Sequence, residues 1–83
     1  MRALGLEIAR GTIFVLRAKV IKESPDESVK GVPVQFWLNG KDIGYEYTST
    51  NGTALLEYEL TKEDESYTEL RFSADILLKK EIK

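Results

Sequence analysis

The segment that decides the fold class reads VPVQFWLNGKD over residues 32–42. Val34, Phe36 and Leu38 occupy every second position in it, and a period of two is typical of a β-strand with one buried face. Asn39 and Gly40 follow at once, and this pair favours a tight hairpin because both residues tolerate a positive φ. The segment therefore predicts a half-buried strand that turns directly into its neighbour.

The same period of two recurs on both sides of this segment, over residues 14–21, 43–48, 54–60 and 69–74. Turn chemistry separates these stretches: a polar loop over 24–28, an Asn51-Gly52 turn, a charged loop over 61–66 and a tight turn near Asp75. A first strand over 4–9 and a last strand over 77–82 complete the set, and no segment shows a capped helical stripe. About seven short strands joined by turns predict an all-β protein, either a β-sandwich or a β-barrel.

The alternation also predicts which side chains face the core. A strand directs successive side chains to opposite faces, so the apolar member of each alternating pair is expected to point inward. The predicted inward positions are Phe14, Leu16, Val20, Val34, Phe36, Leu38, Tyr45, Leu56, Tyr58, Leu70 and Phe72.

The length and composition of the chain exclude several classes of function. Its 83 residues make a single domain over residues 1–83, because so short a chain cannot build two independent cores. It has no cysteine and no histidine, which removes disulfides, thiolate metal sites, the commonest general base and every Ser-His or Cys-His nucleophile. We therefore expect no catalytic residue, no cofactor and no enzymatic activity.

Charge and hydropathy narrow the range of partners. The net charge of −2 and the pI near 5.1 disfavour nucleic acid as a partner. No window approaches the roughly 18 apolar residues of a membrane span, so we expect no membrane insertion. The chain is rich in Lys and Glu with two Asn and one Gln, a balance typical of proteins from hot environments. Its start has no apolar signal core, which is compatible with a cytoplasmic protein or with a module of a longer exported chain.

The carboxylates and the turn motifs are expected to be structural rather than functional. Glu57 and Glu59 share one strand face and an acidic run occupies 63–65, and we interpret both as solvated charge. The acidic residues lack the alternate spacing of a calcium loop, so no metal site is predicted. Asn51-Gly52-Thr53 matches the glycosylation pattern, but the same residues are expected to form a β-turn.

Several short motifs resemble a known family. GVPVQF over 31–36 opens a strand, TSTNG over 48–52 leads into Thr53-Ala54, and Tyr67 leads to FSA over 72–74. This pattern resembles the prokaryotic immunoglobulin-like domains of invasin- and intimin-type adhesins (bacterial Ig-like group 1) and covers residues 15–74. The chain departs from it by having Thr50-Asn51 where the family usually carries an Asp. Carboxypeptidase-regulatory-like and fibronectin type III domains share such turns.

The resemblance implies an antiparallel immunoglobulin-like β-sandwich of about seven strands. It also implies a spacer or adhesive module, one unit of a larger cell-surface or secreted protein, with neighbouring domains or a protein as partner. Trp37 is the candidate interface residue, because alternation puts it on the outer face of its strand, as it does Val15 and Leu55. Clustered outer apolar residues mark an interface or a ligand-binding surface, so the alternative function is a carbohydrate- or protein-binding sandwich. A third hypothesis is a cytoplasmic subunit that docks on a partner through Trp37.

Overall fold

The computed structural model describes residues 1–77, which form six strands in two three-stranded antiparallel sheets. One sheet has the order β1-β2-β5 and the other β4-β3-β6. The strands are β1 Arg2–Ala9, β2 Phe14–Ile21, β3 Pro33–Leu38, β4 Lys41–Tyr47, β5 Thr53–Tyr58 and β6 Phe72–Ile76, with one 3₁₀ turn at Asp64–Ser66.

The prediction of an all-β antiparallel sandwich is confirmed, but the described residues contain six strands rather than seven. The predicted turn near Asp75 is wrong, because Asp75 lies inside β6 and pairs with Gln35 of β3. The backbone N–H of Leu77 still donates to the carbonyl of Pro33 at 2.9 Å. The seventh strand, predicted over 77–82, lies outside the described residues beyond Leu77.

The core lies between the two sheets and is built from the inward positions of both. Leu16, Ala18 and Ala54 of one sheet meet Val34 and Phe36 of the other, and each is fully buried. Strand β2 alternates buried and outward positions along most of its length, which explains why its period of two was so clear in the sequence. At one end of the core the Phe14 and Phe72 rings bridge the sheets with centroids 5.3 Å apart.

The hairpin predicted at residues 39–40 is confirmed, and its turn also contacts the chain segment before β6. Asn39 has φ 51° and Gly40 has φ 83°, as a two-residue type I′ turn requires, and Leu38 pairs with Lys41 across it. The Asn39 side chain accepts a hydrogen bond from the backbone N–H of Arg71 at 2.7 Å. The turn therefore holds the chain segment that leads into β6.

A β-bulge in β4 changes which of its side chains face outward. Phe36 pairs with Gly44 and Trp37 pairs with Asp42, so Ile43 is the extra residue on the β4 side. Gly44 then faces the core, where an added Cβ would meet Leu56 Cδ1 at 3.8 Å, and φ +124° at Gly44 is a conformation that glycine tolerates.

The predicted inward position of Tyr45 is therefore wrong. The extra residue Ile43 shifts the alternation of β4, and Tyr45 points to the outer face, where half of it is exposed.

Candidate functional site

The outer face of the β4-β3-β6 sheet brings three aromatic side chains onto one surface, which we call the aromatic face. The strand register places these residues together even though they lie up to ten positions apart in the chain. Its outward positions are Pro33, Gln35 and Trp37 on β3, Asp42, Tyr45 and Tyr47 on β4, and Ser73 and Asp75 on β6.

Two of the three aromatic residues are open to solvent. Tyr45 is 50% exposed and Tyr47 is 60% exposed, and their rings meet edge to face with centroids 5.7 Å apart. Trp37 is half-buried on the central strand, between Asp42 of β4 and Ser73 of β6. The outward position of Trp37 agrees with the alternation in the sequence, whereas both tyrosines reach this face only because of the bulge.

The charges of the aromatic face are acidic. Among the outward positions of its three strands, the ionisable acids are Asp42 and Asp75, and no lysine or arginine occurs there within residues 1–77. Arg71 precedes β6 at the end of the face, and its guanidinium pairs with Glu69 at 3.3 Å. Lys41, at the start of β4, is directed to Asp64 instead.

The other two candidate interface residues do not share this surface. Val15 and Leu55 lie at outward positions of the β1-β2-β5 sheet, on the opposite side of the sandwich from Trp37. Leu55 is 51% exposed and stands across from Arg17, while Val15 is half-buried opposite Glu57. The three residues therefore belong to two separate faces, because β2 and β5 pair with each other and not with β3.

The residue with the most unusual environment is Asp64, which was predicted to be one of the solvated loop acids. That interpretation is wrong for Asp64, whose side chain is fully buried at the 3₁₀ turn between β5 and β6. Its carboxylate accepts hydrogen bonds from Lys41 Nζ at 2.7 Å, from the Thr61 backbone N–H at 2.9 Å and from the Tyr58 hydroxyl. The group ties the connection between the sheets to β4 and β5.

The surroundings of Asp64 keep it charged. Burial by itself raises the pKa of Asp64, but the hydrogen bonds from Lys41, Thr61 and Tyr58 outweigh that effect and hold the pKa of this carboxyl well below its usual range. The same contact with Asp64 raises the pKa of Lys41. The Lys41–Asp64 ion pair thus links β4 to the 3₁₀ turn.

A local pattern in the sequence contains the signal for this buried acid. Thr61 and Asp64 are three residues apart, and they form a reciprocal pair in which the Asp64 N–H donates to the Thr61 hydroxyl at 3.2 Å. This resembles a capping box, in which a Ser or Thr and an acidic or amide residue three positions later satisfy each other's backbone. The partners Lys41 and Tyr58 come from distant strands, and only the fold brings them to Asp64.

The described part of the chain offers little else that is built like a site. A groove of about 470 Å³ runs beside β1 and is lined by Ile8, Phe14, Tyr67 and other residues. Its charged group is Arg10, whose guanidinium covers the Phe14 ring at 5.3 Å. Within residues 1–77 no three acidic side chains converge on a metal position, and no helix has the length and apolarity of a membrane span.

Comparison of the chain with family models, with curated proteins and with solved structures found no match. The resemblance to invasin- and intimin-type domains therefore stays a prediction.

Proposed function

We propose that this chain is a non-catalytic binding module that takes a protein partner on the aromatic face, and that it serves as one unit of a larger cell-surface or secreted protein. The observation that carries the proposal is the placement of Trp37, Tyr45 and Tyr47 on one outer face, with both tyrosines at least half exposed. Scattered exposed apolar residues are ordinary, whereas grouped aromatic residues are characteristic of interfaces.

The composition of the face supports binding more than solvation. Tyrosine and tryptophan contribute large contact areas with few rotatable bonds, and they dominate the energy of protein interfaces. Here Trp37 is half-buried on the central strand, and Tyr45 and Tyr47 are exposed on the edge strand. Polar side chains at Gln35 and Ser73 lie between or beside them and offer hydrogen bonds.

The support beneath the face makes it rigid before any partner arrives. Trp37 and Gln35 alternate with Val34, Phe36 and Leu38, which are fully buried in the core. A surface held in one conformation loses less entropy on binding than a mobile loop does. The opposite outer face carries Leu55 and Val15 without an aromatic side chain at its outward strand positions in residues 1–77, and this contrast favours the aromatic face.

The test is the accessibility of Trp37, the single tryptophan of the chain, to acrylamide across a dilution series. We expect acrylamide to quench the Trp37 emission to the same clear extent at every concentration, because part of this half-buried side chain is open to a partner. The matched control is the double variant Trp37→Phe with Leu55→Trp, which moves the reporter to the exposed Leu55 position on the opposite face. A blue-shifted emission that acrylamide hardly quenches at any dilution would show that the chain covers its own face, and the proposal would fail.

A further inference from the structure

The two outer faces of the sandwich differ in charge. Outward positions of the β1-β2-β5 sheet carry both signs, and Arg17 on that sheet pairs with Glu7 at 3.5 Å. Outward strand positions of the aromatic face carry only Asp42 and Asp75, both negative, within the described residues. The excess of negative charge lies on the face that also holds the aromatic rings.

Both carboxylates stand next to the aromatic and amide side chains of β3. Asp42 is the direct cross-strand partner of Trp37, and such partners have Cβ atoms about 4.5–5.5 Å apart. Asp75 lies across from Gln35, whose other neighbour is Tyr45. Each of these two rows of cross-strand partners therefore carries one aromatic ring and one carboxylate.

Neither carboxylate is neutralised by an ion pair among residues 1–77. One oxygen of Asp42 accepts the Gly44 N–H at 2.9 Å, and one oxygen of Asp75 accepts the Ile76 N–H at 2.7 Å. No donor within residues 1–77 reaches the second oxygen of either group. Two negative charges beside electron-rich ring faces produce a surface that attracts cations and repels anions.

Resting on the proposed function, we infer that the partner presents a basic segment, with arginine or lysine side chains that lie on the Trp37, Tyr45 and Tyr47 rings and pair with Asp42 and Asp75. A guanidinium fits both demands, since it stacks on an aromatic ring and donates several hydrogen bonds to carboxylates. A neutral glycan would stack on the rings but leave the carboxylates without a countercharge.

The experiment titrates the ¹⁵N-labelled chain with three probes, a blocked tri-arginine peptide, a blocked tri-glutamate peptide and maltohexaose, and follows both amide shifts and Trp37 emission. We expect saturable changes with tri-arginine only, mapped to the Trp37 indole, Gln35 and Tyr45. Binding should weaken as salt is raised, because the charges are exposed and screened.

Two variants test the named groups. Asp42→Asn removes the charge but keeps an oxygen for the Gly44 N–H, and Tyr45→Ala removes an exposed ring; each should weaken tri-arginine binding about 2- to 5-fold. Leu55→Ala and Glu57→Gln on the opposite face are the matched controls and should leave the affinity unchanged. Circular dichroism melts of all four variants establish that each is folded at the titration temperature.

Each outcome decides a different point. Saturable shifts on the aromatic face with maltohexaose or tri-glutamate, and none with tri-arginine, overturn the basic partner while the binding face stands. Shifts that map to Leu55 and Arg17 overturn the proposed function itself. The assignment to a basic segment is overturned if Asp42→Asn and Tyr45→Ala leave tri-arginine binding unchanged. It is also overturned if no probe gives a saturable change while acrylamide quenches Trp37.

Discussion

Removing the carboxylate of Asp64 is the most informative perturbation of this fold. Asp64 is fully buried and accepts hydrogen bonds from Lys41, from Tyr58 and from the Thr61 backbone N–H. Asp64→Ala leaves all three donors without their acceptor at the connection between β5 and β6. We expect the variant to fold into the same sandwich with much lower stability, because the inward apolar residues are untouched.

The size of this loss follows from the burial of the donors. Breaking a buried ion pair by removing one partner costs about 3–5 kcal/mol. The Lys41 side chain is 35% exposed and can turn toward water, so the low end of that range applies, about 3 kcal/mol. For a domain of this size each kcal/mol lowers Tm by about 4–8 °C, so Asp64→Ala should melt about 12–24 °C below the parent.

The assay is thermal unfolding followed by circular dichroism, together with urea unfolding at neutral pH. Glu65→Ala is the matched control, because Glu65 is the exposed neighbour of Asp64 in the same 3₁₀ turn. Its stability should stay within about 0.5 kcal/mol of the parent. If Asp64→Ala melts within a few degrees of the parent, the contacts of the Asp64 carboxylate contribute no net stability and the reasoning is wrong.

Three further predictions follow from burial and backbone geometry. The folded state lowers the pKa of Asp64 below its ordinary value of 3.8, so the stabilising contribution of this carboxylate is present above that pH and is lost as the pH falls further. Below pH 4 the urea midpoint of the parent should therefore drop more steeply than that of Asp64→Asn. Parallel curves would contradict this. Phe36→Ala, at a fully buried core position, should lower the free energy of unfolding in urea by about 3–5 kcal/mol, whereas Leu55→Ala on the open face should lower it by less than about 1 kcal/mol. Equal losses would disprove the assigned core. Gly52→Ala should cost about 2 kcal/mol or more, because φ is +84° and the added Cβ would lie 2.6 Å from the Val20 carbonyl; an unchanged melting temperature would refute the close approach.

The strands were predictable wherever the chain alternates strictly and a turn residue ends the run. Strand β3 and its hairpin show this best, since Val34, Phe36 and Leu38 are all buried and Asn39-Gly40 forms the expected turn. Strand β6 was placed less well, because the polar Asp75 was interpreted as a turn although it occupies an outward position within β6. A single polar residue in a short strand has the same appearance in either role.

The candidate site was predictable only in part. Trp37 follows from the alternation of its own strand, which is local information. Tyr45 was assigned to the wrong face, because a bulge depends on how two strands pair and leaves no mark in the period of one of them. The separation of Trp37 from Leu55 likewise depends on which strands share a sheet.

The sequence by itself determined the all-β class, the alternation that buries one side of each central strand, the hairpin at Asn39-Gly40 and the lack of any histidine or cysteine chemistry. These properties are set by side chains and turns within a few residues of one another. Only the tertiary structure decided the register of β4, the union of three aromatic residues on one face and the burial of Asp64 against Lys41 and Tyr58. Each of these depends on contacts between strands distant in the chain, where pairing and packing outweigh local preference.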